Sequence, residues 1–358
     1  MRQRSKKSYG FTLVELIVVI AIIGILAAGA VQFIRNPLQM YIDIETRAQL
    51  TDIADSTLRK MARDIEKSLP NSVRVTTNGS DSLIEFVPIM NAGRYRASIG
   101  SPDTRLTDEA LDFTASSGTF DVLGKFFNIC TTCSAPPAST TFCAVENATC
   151  TIPSGAVATV WYGKNNNWYS TPNVVDSIPC RNLLYGDPLV GTVKECRYQI
   201  TSPSTGQLVI FNLGVSGADV YEGSNRRTIS SITTDSTYFD TKITFSGGAF
   251  PYPSPASRFY TVSPPVSYAC DMTTDTNNKK LYRYDNYGFQ TSQPASIAAL
   301  NTLAASTYKT LVAENLSACS ITYNATNQRT GIVSIALTLT NNGATVRLMH
   351  QMRVINSP

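Results

Sequence analysis

Leu16 to Ile34 is a run of nineteen residues without a formal charge, and Gln32 is its only strongly polar member. No other stretch restricts the fold of this chain so much. About 20 such residues span a hydrocarbon core as a helix. A carboxylate, Glu15, stands directly before the run. Four basic residues, Arg2, Arg4, Lys6 and Lys7, precede it with no acid among the first ten positions. The other 26 basic residues are matched by 26 acidic ones, so the net charge of +4 resides in the leader. That location favours a leader held on the cytoplasmic side of a membrane and gives no electrostatic case for binding nucleic acid.

Three readings fit this start. The first is a single-pass anchor, with Glu15 reaching to the headgroups. The second is a cleaved secretory signal, with Ala28-Gly29-Ala30 as the small-residue cleavage site and Val31 as the new first residue. The third rests on the residues "GFTLVELIVVIAIIGILAAG", Gly10 to Gly29. This stretch resembles the leader and first helix of type IV prepilins. The resemblance implies cleavage by a prepilin peptidase after Gly10 and N-methylation of the new first residue, Phe11. It also implies that Glu15 is the acid at the fifth mature position.

Physical chemistry gives that acid a role. Cleavage after Gly10 creates an α-amine on Phe11 that is cationic at neutral pH. Buried among apolar helices, an isolated cation is costly unless a carboxylate compensates it. Glu15 of one subunit facing Phe11 of another would neutralise the charge and set the axial register. Helices leaving lipid for a bundle gain little from hydrophobic transfer, so packing and polar contacts decide association. Gly24, Ala27, Ala28 and Gly29 permit close approach, in a filament or in ordinary transmembrane packing alike.

The helix is expected to continue to about Leu69, roughly 88 Å from Phe11 at 1.5 Å per residue, with a bend at Asn36-Pro37. Tyr41, Ile44 and Ala48, then Leu58, Met61, Ile65 and Leu69, recur at steps of three and four, which predicts one apolar stripe. Asp55 with Arg59, Lys60 with Asp64, and Asp64 with Lys67 suit a solvated face. Pro70-Asn71 ends the helix. The Arg-Asp-Ile near the helix end and the Pro-Asn-Ser-Val-Arg that follows add a finer similarity. They resemble the J-type minor pseudopilins and, more closely, the MshO-type minor pilins of mannose-sensitive haemagglutinin (MSHA) pili. This resemblance implies a subunit that primes or caps a filament at its tip. Its partners would be other minor and major pilins, the prepilin peptidase, the inner-membrane assembly platform and inner-membrane lipid. The head would lie in the periplasm and later on the cell surface, where pili serve adhesion.

From Ser72 onward strand signals dominate: Ser82–Val87, Ala156–Tyr162, Cys196–Ile200, Leu208–Leu213, Lys242–Phe245, Arg258–Val262, Val266–Cys270 and Lys280–Tyr284. Ile332–Thr340 and Thr345–Val354 alternate across Asn341-Asn342-Gly343, a hairpin signature. A short helix is expected after Pro294. These signals give an α+β fold, which the resemblance implies is pilin-like: one long helix, its first half transmembrane, packed on a large antiparallel β-sheet head with a disulfide-stapled insertion. The expected divisions are a leader (1–10), a membrane or filament-core helix (11–35), an amphipathic continuation (36–70) and the head (71–358).

Eight cysteines, Cys130, Cys133, Cys143, Cys150, Cys180, Cys196, Cys270 and Cys319, lie beyond the membrane run. An even number in an oxidising compartment implies disulfides. Six fall between Cys130 and Cys196, within a polar Cys-rich elaboration at about 124–200. Nearest-neighbour pairing is one of about 105 possible patterns. Cys130-Thr-Thr-Cys133 could also be a redox pair, but Ser134-Ala-Pro-Pro is a poor helix start for one. As half of a zinc site it would need Cys143 and Cys150, whose gap exceeds the usual spacing.

Nothing in the chain announces catalysis, a metal or a cofactor. His350 is the single histidine; it shares a strand face with Leu348, Met352 and Val354 and suits packing. Asp271, Asp275 and Asn277 lack the spacing of a calcium loop. Two other functions remain in view: a J-type pseudopilin of a type II secretion system, and a periplasmic enzyme or binding domain on an uncleaved anchor. The tyrosine-rich stretches "FPYPSPASRFY" and "LYRYDNYGF" suit either a contact surface or the sheet core.

Overall fold

In a computed structural model, the structure describes residues 12–99, 109–202, 206–234, 241–275, 278–327 and 330–358, apart from 125, 128 and 133. Helix α1 (Leu13–Glu66) is 54 residues long and unbroken at Pro37, so it is roughly 80 Å in length. Thr12 caps its start: the Glu15 N–H donates to Thr12 Oγ1 at 3.2 Å, which satisfies one of the orphan donors of a first turn. At the other end Asn71 takes a left-handed conformation (φ 59°). Its Nδ2 donates to the carbonyls of Asn212 and Asn356, each at 2.9 Å. The helix itself stops earlier than the expected Pro70-Asn71, at Glu66 with Lys67 as its cap, and the Asn71 turn beyond it ties distant parts of the head together.

Strands β1 (Arg74–Asn78), β2 (Asp81–Phe86), β3 (Ile89–Tyr95) and β4 (Ser117–Leu123) follow. The chain continues through β5 (Thr141–Val145), β6 (Thr149–Thr151), β7 (Val157–Lys164), β8 (Asn167–Val175) and β9 (Ser177–Pro179) to a short helix, α2 (Asn182–Tyr185). Next come β10 (Glu195–Ser202), β11 (Gln207–Val209), β12 (Arg226–Thr234), β13 (Thr241–Ser246), β14 (Arg258–Val262), β15 (Val266–Asp271) and β16 (Lys279–Tyr284). Helix α3 (Ile297–Leu303) precedes β17 (Lys309–Asn327), β18 (Thr330–Asn341) and β19 (Ala344–Ile355).

One seven-stranded antiparallel sheet runs β1-β2-β15-β16-β17-β18-β19. It is a meander in sequence order except at one step, between β2 and β15. Everything from β3 to β14 is inserted there. The insertion holds a closed barrel, β11-β12-β13-β4-β3-β14, and a four-stranded sheet, β5-β10-β7-β8, beside the pair β6-β9.

Helix α1 packs chiefly on β19, and less on β18 and β17. Leu50, Ala54, Leu58, Met61 and Ile65 join Ile84, Tyr268, Leu281, Leu337 and Met352 in one buried core. The opposite face is covered over β2, β15 and β16 by Ile297 and Leu300 of α3. Inside the barrel, Phe259 lies edge-on to Phe120 with centroids 5.4 Å apart. A Cβ on Gly93 would come within 2.7 Å of the Phe259 ring, so the barrel wall requires glycine there. The barrel and the four-stranded sheet share a continuous core that includes Phe120, Phe259, Val160 and Ile178.

Several expectations need correction. The large antiparallel head behind one long helix is as expected, but its strands divide into a seven-stranded sheet, a closed barrel and two smaller sheets. Leu208–Leu213 is strand only to Val209, because Phe211 turns to φ 50° and Asn212 is drawn away to the Pro70 carbonyl at 2.7 Å. Tyr41, Ile44 and Ala48 are exposed rather than part of a sealed stripe; burial begins in earnest at Leu50. Asp55 pairs with Arg59 at 2.7 Å. Asp64, however, accepts from the Tyr268 hydroxyl at 2.7 Å and lies 3.3 Å from Arg283, so it faces the sheet rather than Lys60 or Lys67.

Candidate functional site

Among the described residues, Leu13 to Gly29 of α1 have no cover. Leu13, Ile20 and Ile25 are 74%, 61% and 73% exposed, and every described side chain from Leu13 to Gly29 is exposed. A Cβ placed on Gly24 or Gly29 would meet nothing within 4 Å. Large bare apolar surfaces mark contact sites for protein or lipid. Among the described residues no helix is long and apolar enough to cross a membrane.

Glu15 sits in the first helical turn, exposed, where a carboxylate is favoured by the helix dipole. Its spacing from Thr12 is that of a capping box, a local signal the sequence reading did not use. Gly10 and Phe11, the expected cleavage and methylation residues, lie outside the described residues.

Cys143 is bonded to Cys150, Cys180 to Cys196 and Cys270 to Cys319. Cys130 is also disulfide-bonded, and Cys133 lies outside the described residues. The first two bonds fasten β5 to β6 and the approach to α2 to β10. The third joins β15 to β17 under α1.

Two ionic clusters, one buried around Glu85 and one partly exposed around Lys194, escaped the sequence reading, since neither has a local spacing. In one, the fully buried Glu85 carboxylate lies 2.5 Å from Arg74 Nε and accepts from the Tyr287 hydroxyl at 2.7 Å. Burial raises the Glu85 carboxyl above its ordinary value, with Arg74 and Tyr287 opposing. Arg74 also donates to the carbonyls of Gln290 and Thr291 and stacks 3.5 Å over the Tyr221 ring. This cluster fastens β1 to the loop before α3 and is structural.

In the other, Lys194 Nζ lies 2.8 Å from Asp187 Oδ1 and 3.5 Å from Glu146 Oε1, with its side chain 3% exposed. The hydrogen bond to Asp187 raises the Lys194 amine, while burial pulls it down. The hydroxyl of neighbouring Tyr162 is raised by burial and by Glu146.

A cleft of about 270 Å³ opens between sheet and barrel, lined by Pro88, Thr201, Arg283, Asp285 and Tyr308. Its cation is already engaged, because Arg283 holds both Asp64 and Asp285. Asp271 and Asp275 each accept a backbone N–H three residues on, from Thr274 and Asn278. That is a polar turn, and Asn277 lies outside the described residues. His350 is half-buried in β19 opposite Ile335. Among the described residues no group of side chains is arranged to hold a metal.

Residues 5–31 match the family model of the prokaryotic N-terminal methylation motif. This match spans Gly10, Phe11 and Glu15 and supports a type IV prepilin-like protein. No curated protein and no solved structure matches the chain.

Proposed function

We propose that this protein is a minor pilin of a type IV, MSHA-like pilus, a structural subunit rather than an enzyme. The observation that carries the reading is the methylation motif over residues 5–31 at the head of a helix whose residues Leu13 to Gly29 are bare among the described residues. After cleavage by a prepilin peptidase and methylation of Phe11, the helix is stored in the inner membrane with the head in the periplasm. It then passes into the filament core, where Glu15 answers the Phe11 amine of another subunit. The head supports a place at the tip. The inserted barrel and stapled sheet, residues 89–262, add bulk that would crowd every turn of a shaft but not a single cap. Immunogold labelling of sheared filaments tests this. Label confined to one filament end is expected, and label spread evenly along the shaft would overturn the tip assignment.

A further inference from the structure

The Lys194 cluster has the makings of a reaction centre, and the filament role does not use it. One buried amine faces two carboxylates, Asp187 and Glu146. Lys194 is the buried member, with its side chain 3% exposed; Glu146 is 14% and Asp187 32% exposed, so the two carboxylates meet the amine at the edge of the head. The parts are also held in fixed positions. Asp187 Oδ1 accepts from the Leu189 N–H at 3.1 Å, and Oδ2 faces Asn182 Nδ2 at 3.4 Å. Asn182 is itself oriented by the Tyr162 hydroxyl, which donates to its Oδ1 at 2.7 Å. Glu146 is fixed from the other side: its Oε2 accepts from the Lys194 N–H at 2.9 Å, and its own N–H donates to the Lys194 carbonyl at 2.9 Å. The disulfides Cys143–Cys150 and Cys180–Cys196 lock the segments that carry these residues.

We propose that Lys194 and Asp187 become joined by an intramolecular amide bond, with Glu146 as the proton carrier. Glu146 takes a proton from the Lys194 ammonium, which frees the amine as a nucleophile. As Glu146 passes that proton to an Asp187 oxygen, Nζ attacks Cγ of the now neutral Asp187 carboxyl. The N–H of Leu189 and the amide of Asn182 lie where charge develops on the carboxyl oxygens, the arrangement that stabilises a tetrahedral intermediate. An Nζ–Cγ bond forms and one Cγ–O bond breaks. Two protons from Nζ, one of them relayed by Glu146, leave with that oxygen as water. An ammonium and a carboxylate become a neutral amide, and no oxidant or cofactor enters the balance. Contact distances of this order within a rigid frame replace the concentration that such a condensation lacks in solution.

The product would close the loop 187–194 covalently. That loop and its neighbour α2 display Leu183, Val190 and Val193, which are among the most exposed aliphatic side chains of the head. A competing loss of water at Asp187 is closed off. Backbone cyclisation needs an N–H on the next residue, and Pro188 has none.

The test uses the full-length protein extracted in detergent, reduced, alkylated and digested with trypsin. The amide blocks cleavage at Lys194, so the expected product is a peptide running from Asn182 to Arg197, lighter than its sequence by one water. A peptide ending at Lys194 at its full mass would overturn the proposal and leave an ion pair only. A water-deficient cross-link joining Lys194 to the peptide that carries Glu146 would overturn the choice of Asp187. The variant Glu146→Gln should keep the Cys143–Cys150 and Cys180–Cys196 disulfides yet yield the cleaved peptide at full mass. Full retention of the link in that variant would overturn the role of Glu146.

Discussion

The two halves of helix α1 are built from the same kind of residue and meet opposite fates. From Leu50 to Ile65 its apolar side chains are sealed against the seven-stranded sheet. From Leu13 to Leu26 they stand in the open. Both halves obey helical geometry, so local structure does not separate them. The difference lies in what the rest of the chain offers. The second half is completed by the head and is part of the fold. The first half is left uncovered by the described residues, and on the function proposed above its cover is lipid or other helices. A carboxylate in the sealed half, Asp64, finds Tyr268 and Arg283 within the protein. Glu15, in the bare half, makes no ion pair among the described residues.

This contrast can be broken by substitution. The largest effect is expected from Arg74→Ala, just beyond the sealed half. It strands the buried Glu85, and loss of one partner of such a pair costs about 3–5 kcal/mol. Chemical unfolding of the detergent-extracted protein measures it. Met61→Ala empties a fully buried position under the sheet and should cost about 2–5 kcal/mol in the same assay. A smaller effect concerns pH. The folded state raises the Glu85 carboxyl above its ordinary 4.5, so it holds the proton more tightly than the unfolded chain does. The corresponding stability is present below pH 4.5 and is lost as pH rises through the elevated folded value. Unfolding curves collected across that range should show the decline in the parent and a flatter profile in Glu85→Gln. The smallest effect on stability belongs to the bare half: Ile20→Ala and Glu15→Ala should each change the unfolding free energy by less than about 0.5 kcal/mol. Both should nevertheless reduce recovery of the protein in sheared filaments, Glu15→Ala most, while processing of the leader continues. A large stability loss in Ile20→Ala would erase the distinction between the halves.

The sequence made the local features plain and the non-local ones obscure. Periodicity shows the helix, and Asn342-Gly343 between alternating runs shows the β18–β19 hairpin, because each signal lies within a few residues. Strand β17 is the longest among the described residues, yet it passed unnoticed. Its "ENLSACSITYNATN" is mostly polar, and its pairing with β16 and β18 is broken by irregular registers. Closure of the barrel was equally hidden, since it depends on β4 meeting β13 more than a hundred residues away. Gly10, Phe11 and Glu15 form a compact pattern readable at once. The Lys194 cluster draws on Glu146, Asn182 and Asp187, ordinary residues that only the fold brings together.

The most direct test of the account is the mass of the mature N-terminus, determined on the protein isolated from membranes or filaments. The account predicts a chain that begins at Phe11 and carries one methyl group on its α-amine. A chain beginning at Met1 or at Val31 would contradict it, leaving a plain anchor in the first case and a cleaved secretory signal in the second.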